Sequence, residues 1–195
     1  MPQSDRVRNA MWAAYAIAAS GAIGLVTIGL FFGVGQPFGT LNDISLIVMT
    51  LAIAPVMLGS YELGGVTPLW PARISLAGGI GGCLVWSVVQ LGMILGYVTF
   101  NYESAAIGWF AVETVALIVI GAWLIGAPLL AGPWLPPLLR WLGAISGVGI
   151  VVFAAGLLLG GVNHPLTYIG GIGYSVLLPI WAYLLARLLG RIRRT

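Results

Sequence analysis

Six long apolar stretches, separated by short connectors, constrain this chain more than any other feature. They lie near Ala10–Val34, Ile44–Leu63, Ile74–Phe100, Trp109–Leu130, Trp141–Gly161 and Leu166–Ala186. A helix needs about 20 apolar residues to cross the hydrocarbon core of a bilayer, and each stretch has that length or more. We therefore predict an all-α fold, a single transmembrane bundle of six spans over residues 1–195, with a basic tail at 187–195.

The composition supports a membrane protein and excludes several kinds of chemistry. Of the 195 residues, 60% are hydrophobic and only 7% are charged, whereas a soluble domain carries far more surface charge. Cys83 is the only cysteine, so an internal disulfide or a thiolate metal cluster is excluded. The chain contains no lysine and therefore cannot form a lysine Schiff base. The first apolar stretch is longer than a signal-peptide core, and we expect it to remain as the first span.

The basic residues predict the orientation of the bundle. All eight are arginines, and the alternation of connectors allows every one to lie on the same side of the membrane: Arg6, Arg8, Arg73, Arg140, Arg187, Arg191, Arg193 and Arg194. Arginine is retained in the cytoplasm during insertion, so we predict a cell-membrane protein with both termini cytoplasmic. The four C-terminal arginines are expected to contact anionic lipid headgroups rather than nucleic acid.

Glu113 is the residue that most strongly suggests a functional site. It lies about one turn inside the fourth span, and an ionisable group within the membrane is costly and often functional. Counting back from the shared connector places Tyr97 at a similar depth on the third span and Gln90 deeper. We expect Glu113 to hydrogen-bond Tyr97, or Gln90 if the helices are staggered. These residues form either a ligand or ion site or a purely structural hydrogen bond.

A second candidate cluster lies in the connectors on the side without arginine. Asp43, Glu103 and His164 have the side chains of a divalent-metal site or of general acid–base catalysis. They come from three different connectors, and no two of them have helical spacing. Asp43 also has a structural explanation, since Asn42 and Asp43 precede the second apolar stretch and could cap its helix.

Closely spaced glycines predict tight helix packing. Small residues four apart allow helix backbones to approach within a membrane. Such pairs occur within Gly78–Gly82 and at Gly29/Gly33, Gly143/Gly147 and Gly156/Gly160. They could form a surface for an oligomer or a partner subunit, or they could pack inside one chain.

The connector between the first two spans resembles a known group of sequences. The run Pro37-Phe38-Gly39-Thr40-Leu41-Asn42-Asp43 is similar to a segment of small bacterial membrane proteins of unknown function. The resemblance covers this segment and the general hydropathy. It implies a six-helix integral membrane protein and no activity, cofactor or catalytic residue.

Three functions remain open at this point. The first is a small-molecule or ion transporter, or a ligand-binding membrane protein, with its site around Glu113, Tyr97 and Gln90. The second is a structural or regulatory subunit of a membrane complex. The third is a metal-dependent enzyme that uses Asp43, Glu103 and His164. Common catalytic, metal and phosphate-binding motifs are missing from the sequence, so we expect no cofactor and lean against an enzyme.

Overall fold

The fold is all-α in the computed structural model, which describes residues 3–64, 70–98 and 108–193. The side chains of Gln3, Ser4 and Phe110 are excluded from the description. The helices are α1 (Gln3–Val34), α2 (Phe38–Leu63), α3 (Trp70–Ile94), α4 (Trp109–Leu130), α5 (Pro137–Gly160), α6 (Pro165–Ile172) and α7 (Leu178–Ile192). A π-helical turn, Gly173–Leu177, joins α6 to α7 within one span. The described residues contain six helical spans long and apolar enough to cross a membrane, which confirms that prediction.

Several helix boundaries differ from the predicted ones. Helix α2 begins at Phe38 rather than Ile44, because the helix continues through the polar residues before the apolar run. Helix α5 begins at Pro137, and proline is favoured at the first position of a helix because its missing N–H has no helical partner there. Helix α3 ends at Ile94, and the predicted end of that span, Phe100, lies outside the described residues. Most of the predicted tail is part of α7.

The six spans form a closed circle in chain order. In the described part of the chain, the extensive contacts join each span to the next one, and α7 returns to pack against α1. Near the start of α1 and the end of α7, Met11 lies against Gly190, so both termini are at the same end of the bundle. We call this the arginine end. The other end, which bears the connector at residues 35–37 and the 3₁₀ turn Gly161–Asn163, is called the opposite end.

Each interface between neighbouring spans contains a glycine in close contact with the neighbouring span. At six such positions, one for each interface, an added Cβ would lie at most 3.1 Å from an atom of the neighbouring span: Gly59, Gly79, Gly82, Gly147, Gly170 and Gly21. At Gly82, Gly147 and Gly170 the obstructing atoms include backbone, which cannot move aside as a flexible side chain can. Close backbone contact of this kind is a main source of helix association in lipid.

Most of the predicted glycine surfaces therefore pack inside the monomer. Gly143 lies against Pro128, and Gly156 lies against the backbone of Thr167. Gly29 and Gly33 are different, because an added Cβ at either position would meet no described atom within 4 Å.

We predict opposite effects for alanine at Gly147 and at Gly29. A Cβ at Gly147 would lie 2.6 Å from the carbonyl oxygen of Gly121 and 2.8 Å from the nitrogen of Ile125. Gly147→Ala should therefore destabilise the protein by about 1–3 kcal/mol through overpacking. Gly29→Ala should be neutral or stabilising, because alanine has the higher helix propensity. Thermal unfolding in detergent, followed by tryptophan fluorescence, compares the two variants. Equal melting temperatures would contradict the close α4–α5 contact.

Candidate functional site

The centre of the candidate site is a buried hydrogen bond between α3 and α4. Glu113 lies in the second turn of α4, and Gln90 lies in the last turns of α3. The Gln90 side-chain amide donates from Nε2 to Glu113 Oε1 over 2.6 Å. Glu113 is 5% exposed and Gln90 is 6% exposed. The two helices come close enough for this bond because Gly82, two turns before Gln90 on α3, lies against the carbonyl oxygen of Ala116 on α4.

Several polar atoms around this bond have no partner among the described residues. They are Glu113 Oε2, Gln90 Oε1 and Trp86 Nε1. Trp86 lies one turn before Gln90 on the same face of α3, and its indole is near enough to interact with the Glu113 carboxyl. The site therefore presents two acceptor atoms and one N–H donor in the apolar interior of the bundle.

Tyr174 extends the polar site toward the middle of the bundle. It belongs to the π-helical turn of the last span, where Gly173 packs directly against Gly149 of α5. The Tyr174 ring stacks on Phe153 with 6.1 Å between ring centroids. Its hydroxyl is buried without a well-formed hydrogen bond in the described ranges, and it lies near the side chains of Thr50 and Glu113. Single π-helical turns are frequent at functional sites, since the extra residue changes which side chains face inward.

The predicted hydrogen bond between Tyr97 and Glu113 is wrong. Helix α3 ends at Ile94, and Gly96 then takes a positive φ of 76° that redirects the chain. The Tyr97 side chain is consequently 83% exposed. Of the three residues predicted for this site, the structure brings only Glu113 and Gln90 together.

The second predicted cluster is not assembled by the described residues. His164 caps α6, where its Nδ1 accepts a hydrogen bond from the Leu166 amide over 3.3 Å. Glu103 lies outside the described ranges. Within those ranges, no group of three histidine, cysteine, aspartate or glutamate side chains could hold a metal ion.

Asp43 belongs to the neighbourhood of Glu113 instead. The predicted capping role is wrong because α2 begins at Phe38, which places Asp43 inside the helix. Its carboxyl is partly buried and near enough to act electrostatically on Glu113. Asp43 and Glu113 thus lie near the same end of the bundle, each in the second turn of its helix.

The predicted topology and lipid arginines occupy three kinds of position. Arg140 donates hydrogen bonds to the carbonyl oxygens of Leu135, at 2.8 Å, and of Gly132, so it fixes the α4–α5 connector. Arg73 is exposed at the start of α3. Arg187 and Arg191, together with Arg193, line a cleft at the arginine end. Arg194 lies outside the described residues.

A separate cleft of about 520 Å³ lies between α2, α3 and α4 at the arginine end. Its lining includes Ser60, Tyr61 and Ser75, along with apolar side chains. From Ser75 to Gln90 the helix rises about 22 Å, so this cleft is well separated from Glu113. Met57 and Trp123 line the cleft, and both also lie against Gly79.

Sequence reasoning did not identify Trp86, Thr50 or Tyr174 as parts of this site. The spacing of Trp86 and Gln90 on one helix face was a usable signal, since residues four apart are neighbours on a helix. The sequence contains no comparable signal for Tyr174, because its inward orientation depends on the π-helical turn.

The fold and site define a multi-pass α-helical membrane protein with a polar site inside the bundle. Comparisons do not assign it to a known group. No family model matches the chain, and no curated protein or solved structure matches it significantly. The resemblance of the segment Pro37–Asp43 to small bacterial membrane proteins therefore remains a prediction.

A double-mutant cycle should detect the Gln90–Glu113 interaction. Removing either partner leaves a buried polar group without its hydrogen bond, so each of Gln90→Leu and Glu113→Leu removes the same interaction. The interaction energy from the two single variants and the double variant should be about 1 kcal/mol. A control cycle of Tyr97→Phe with Glu113→Leu should give an interaction energy near zero. Unfolding in detergent measures both cycles, and a larger value for the Tyr97 cycle would contradict this geometry.

Proposed function

We propose that this protein is a small transporter that binds a small cationic solute at Glu113. The observation that carries the proposal is the set of buried polar atoms around this carboxylate that lack partners among the described residues. An unpaired buried polar group costs about 1–3 kcal/mol, so such groups are usually satisfied by water or a ligand. A buried carboxylate within the membrane is also a typical element of a substrate or ion pathway.

The donors and acceptors of the site suggest the class of solute. Glu113 Oε2 and Gln90 Oε1 can each accept a hydrogen bond, and the carboxylate favours a positively charged donor. Trp86 Nε1 and the Tyr174 hydroxyl can donate to an acceptor on the same solute. A small organic amine with a polar group supplies both the positively charged donor and the acceptor. An inorganic cation with its water shell supplies the positively charged donor.

The arrangement along the membrane normal supports transport in addition to binding. Asp43, in the second turn of α2, adds another carboxylate near Glu113, which lies in the second turn of α4. Met57 and Trp123 line the cleft between α2, α3 and α4, and both lie against Gly79, which is between that cleft and Gln90 along α3. Passage of a solute requires these contacts to open, which is the behaviour expected of a gate on one side of a binding site.

The proposed orientation places the arginine end in the cytoplasm of a cell-membrane protein. The arginines at this end support it, because the excess of arginine marks the cytoplasmic side. A reporter that works only in the cytoplasm should be active when it is fused to the C-terminus. A reporter that works only outside the cytoplasm should be inactive at the same position. The reverse pattern would contradict this orientation. A fusion after His164 serves as the matched control, for which the opposite result is expected.

We predict that Glu113→Gln abolishes ligand binding without unfolding the protein. A screen of small amines and inorganic cations should identify a compound that raises the melting temperature of the wild-type protein in detergent. Glu113→Gln retains the shape of the side chain but removes its charge, so the shift should fall to near zero. Asp5→Asn removes a partly exposed carboxylate, paired with Arg8 at the arginine end, and should retain the full shift. Equal shifts in both variants would contradict binding at Glu113.

Labelling of Cys83 separates transport from binding alone. This single cysteine is fully buried one turn before Trp86, so it reports whether water reaches the interior. Water-soluble thiol reagents should label Cys83 slowly in reconstituted protein, and the identified ligand should change the rate. Complete resistance to labelling with and without the ligand would contradict a transport cycle that opens the interior to water.

A further inference from the structure

The cleft that Arg187, Arg191 and Arg193 line has a volume of about 680 Å³ and lies between the start of α1 and the end of α7. Its lining consists of Met11, Trp12, Tyr15, Arg187, Gly190, Arg191 and Arg193. Gly190 allows α1 to approach, because an added Cβ there would lie 3.3 Å from the Met11 sulfur. The cleft is independent of the Glu113 site, since it lies at the arginine end near both termini.

The arginines of this cleft carry charges that the described residues do not neutralise. Arg6 pairs with Glu62, and Arg8 pairs with Asp5 at 3.0 Å. Arg140 is bound to backbone carbonyl oxygens. The arginines left without an ion pair or a side-chain hydrogen bond among the described residues are Arg73, Arg187, Arg191 and Arg193. Three of these four converge on one cleft, which therefore favours an anionic occupant.

Aromatic side chains connect this charged cleft to the apolar surface of the bundle. Trp12 and Tyr15 have ring centroids 6.0 Å apart, and Tyr15 and Tyr183 have centroids 6.2 Å apart. Tyr183 lies one turn before Arg187 on the same face of α7, toward the middle of the membrane. Aromatic rings of this kind favour the level where headgroups meet hydrocarbon. An occupant that is anionic at one end and apolar at the other fits both parts.

We propose that this cleft is a binding site for an anionic phospholipid. The guanidinium groups of Arg187, Arg191 and Arg193 bind the phosphate, because arginine donates paired hydrogen bonds to phosphate oxygens. The Trp12–Tyr15–Tyr183 row contacts the glycerol and the first part of an acyl chain. Basic pockets between transmembrane helices on the cytoplasmic side are established binding sites for lipid headgroups in other membrane proteins.

The test is a lipid-binding measurement on the purified protein with defined lipids. In native mass spectrometry, phosphatidylglycerol should bind the wild-type protein more tightly than phosphatidylcholine does. Arg187→Gln combined with Arg191→Gln should weaken phosphatidylglycerol binding about 30-fold, the factor expected for the loss of two arginine–headgroup interactions. Arg73→Gln is the matched control, because it removes an unpaired arginine at the same end outside the cleft. It should retain the wild-type affinity.

Three results would overturn the proposal. The first is equal binding of the two lipids by the wild-type protein, a comparison that does not depend on the folding of any variant. The second is an equal loss of affinity in Arg73→Gln, which would indicate general attraction to the membrane surface. The third is displacement of phosphatidylglycerol by millimolar glycerol 3-phosphate or inorganic phosphate, which would indicate a site for a soluble phosphate. Failure of the Glu113 ligand screen would leave this proposal unaffected, since the two sites share no residue.

Discussion

Close contact between helix backbones at glycine is the interaction on which the rest of this structure depends. Within lipid, no hydrophobic effect draws apolar helices together, so packing and interhelical hydrogen bonds must hold the bundle. A glycine at each of the six interfaces allows neighbouring spans to approach closely, and at Gly82, Gly147 and Gly170 the atoms that it meets include backbone. Large side chains such as Ile53, Trp123 and Trp181 are buried within the bundle.

The same contacts determine the chemistry of the interior. Because Gly82 brings α3 against α4, Gln90 and Glu113 face each other at 2.6 Å rather than facing lipid. Because Gly173 packs against Gly149, the π-helical turn presents Tyr174 to the same interior. Rigid glycine contacts thus hold in place a group of polar atoms that lack partners among the described residues. Local violations of the rules of stable packing are expected at functional sites, where stability is exchanged for binding.

The sequence predicted the spans well and the site only in part. Length and hydropathy identify the six helices because the thickness of the bilayer sets both properties. Glu113 and Gln90 were identifiable because polar side chains are rare within apolar spans. Tyr97 was assigned wrongly, since counting residues gives its depth but does not reveal that the helix ends at Ile94. Tyr174 was missed because the rotation of its span depends on packing and on a π-helical turn, neither of which leaves a pattern in the sequence.

The distribution of charge within the described residues supports the proposed site at Glu113. Of the five acidic residues, Asp5 and Glu62 pair with arginines at the arginine end. No arginine of the described ranges pairs with Glu113, and the nearby ionisable group Asp43 has the same sign. A carboxylate buried this deeply is stable only with a proton or a cation beside it. In the transporter that we propose, a cationic solute beside Glu113 would supply the opposite charge that the described residues do not.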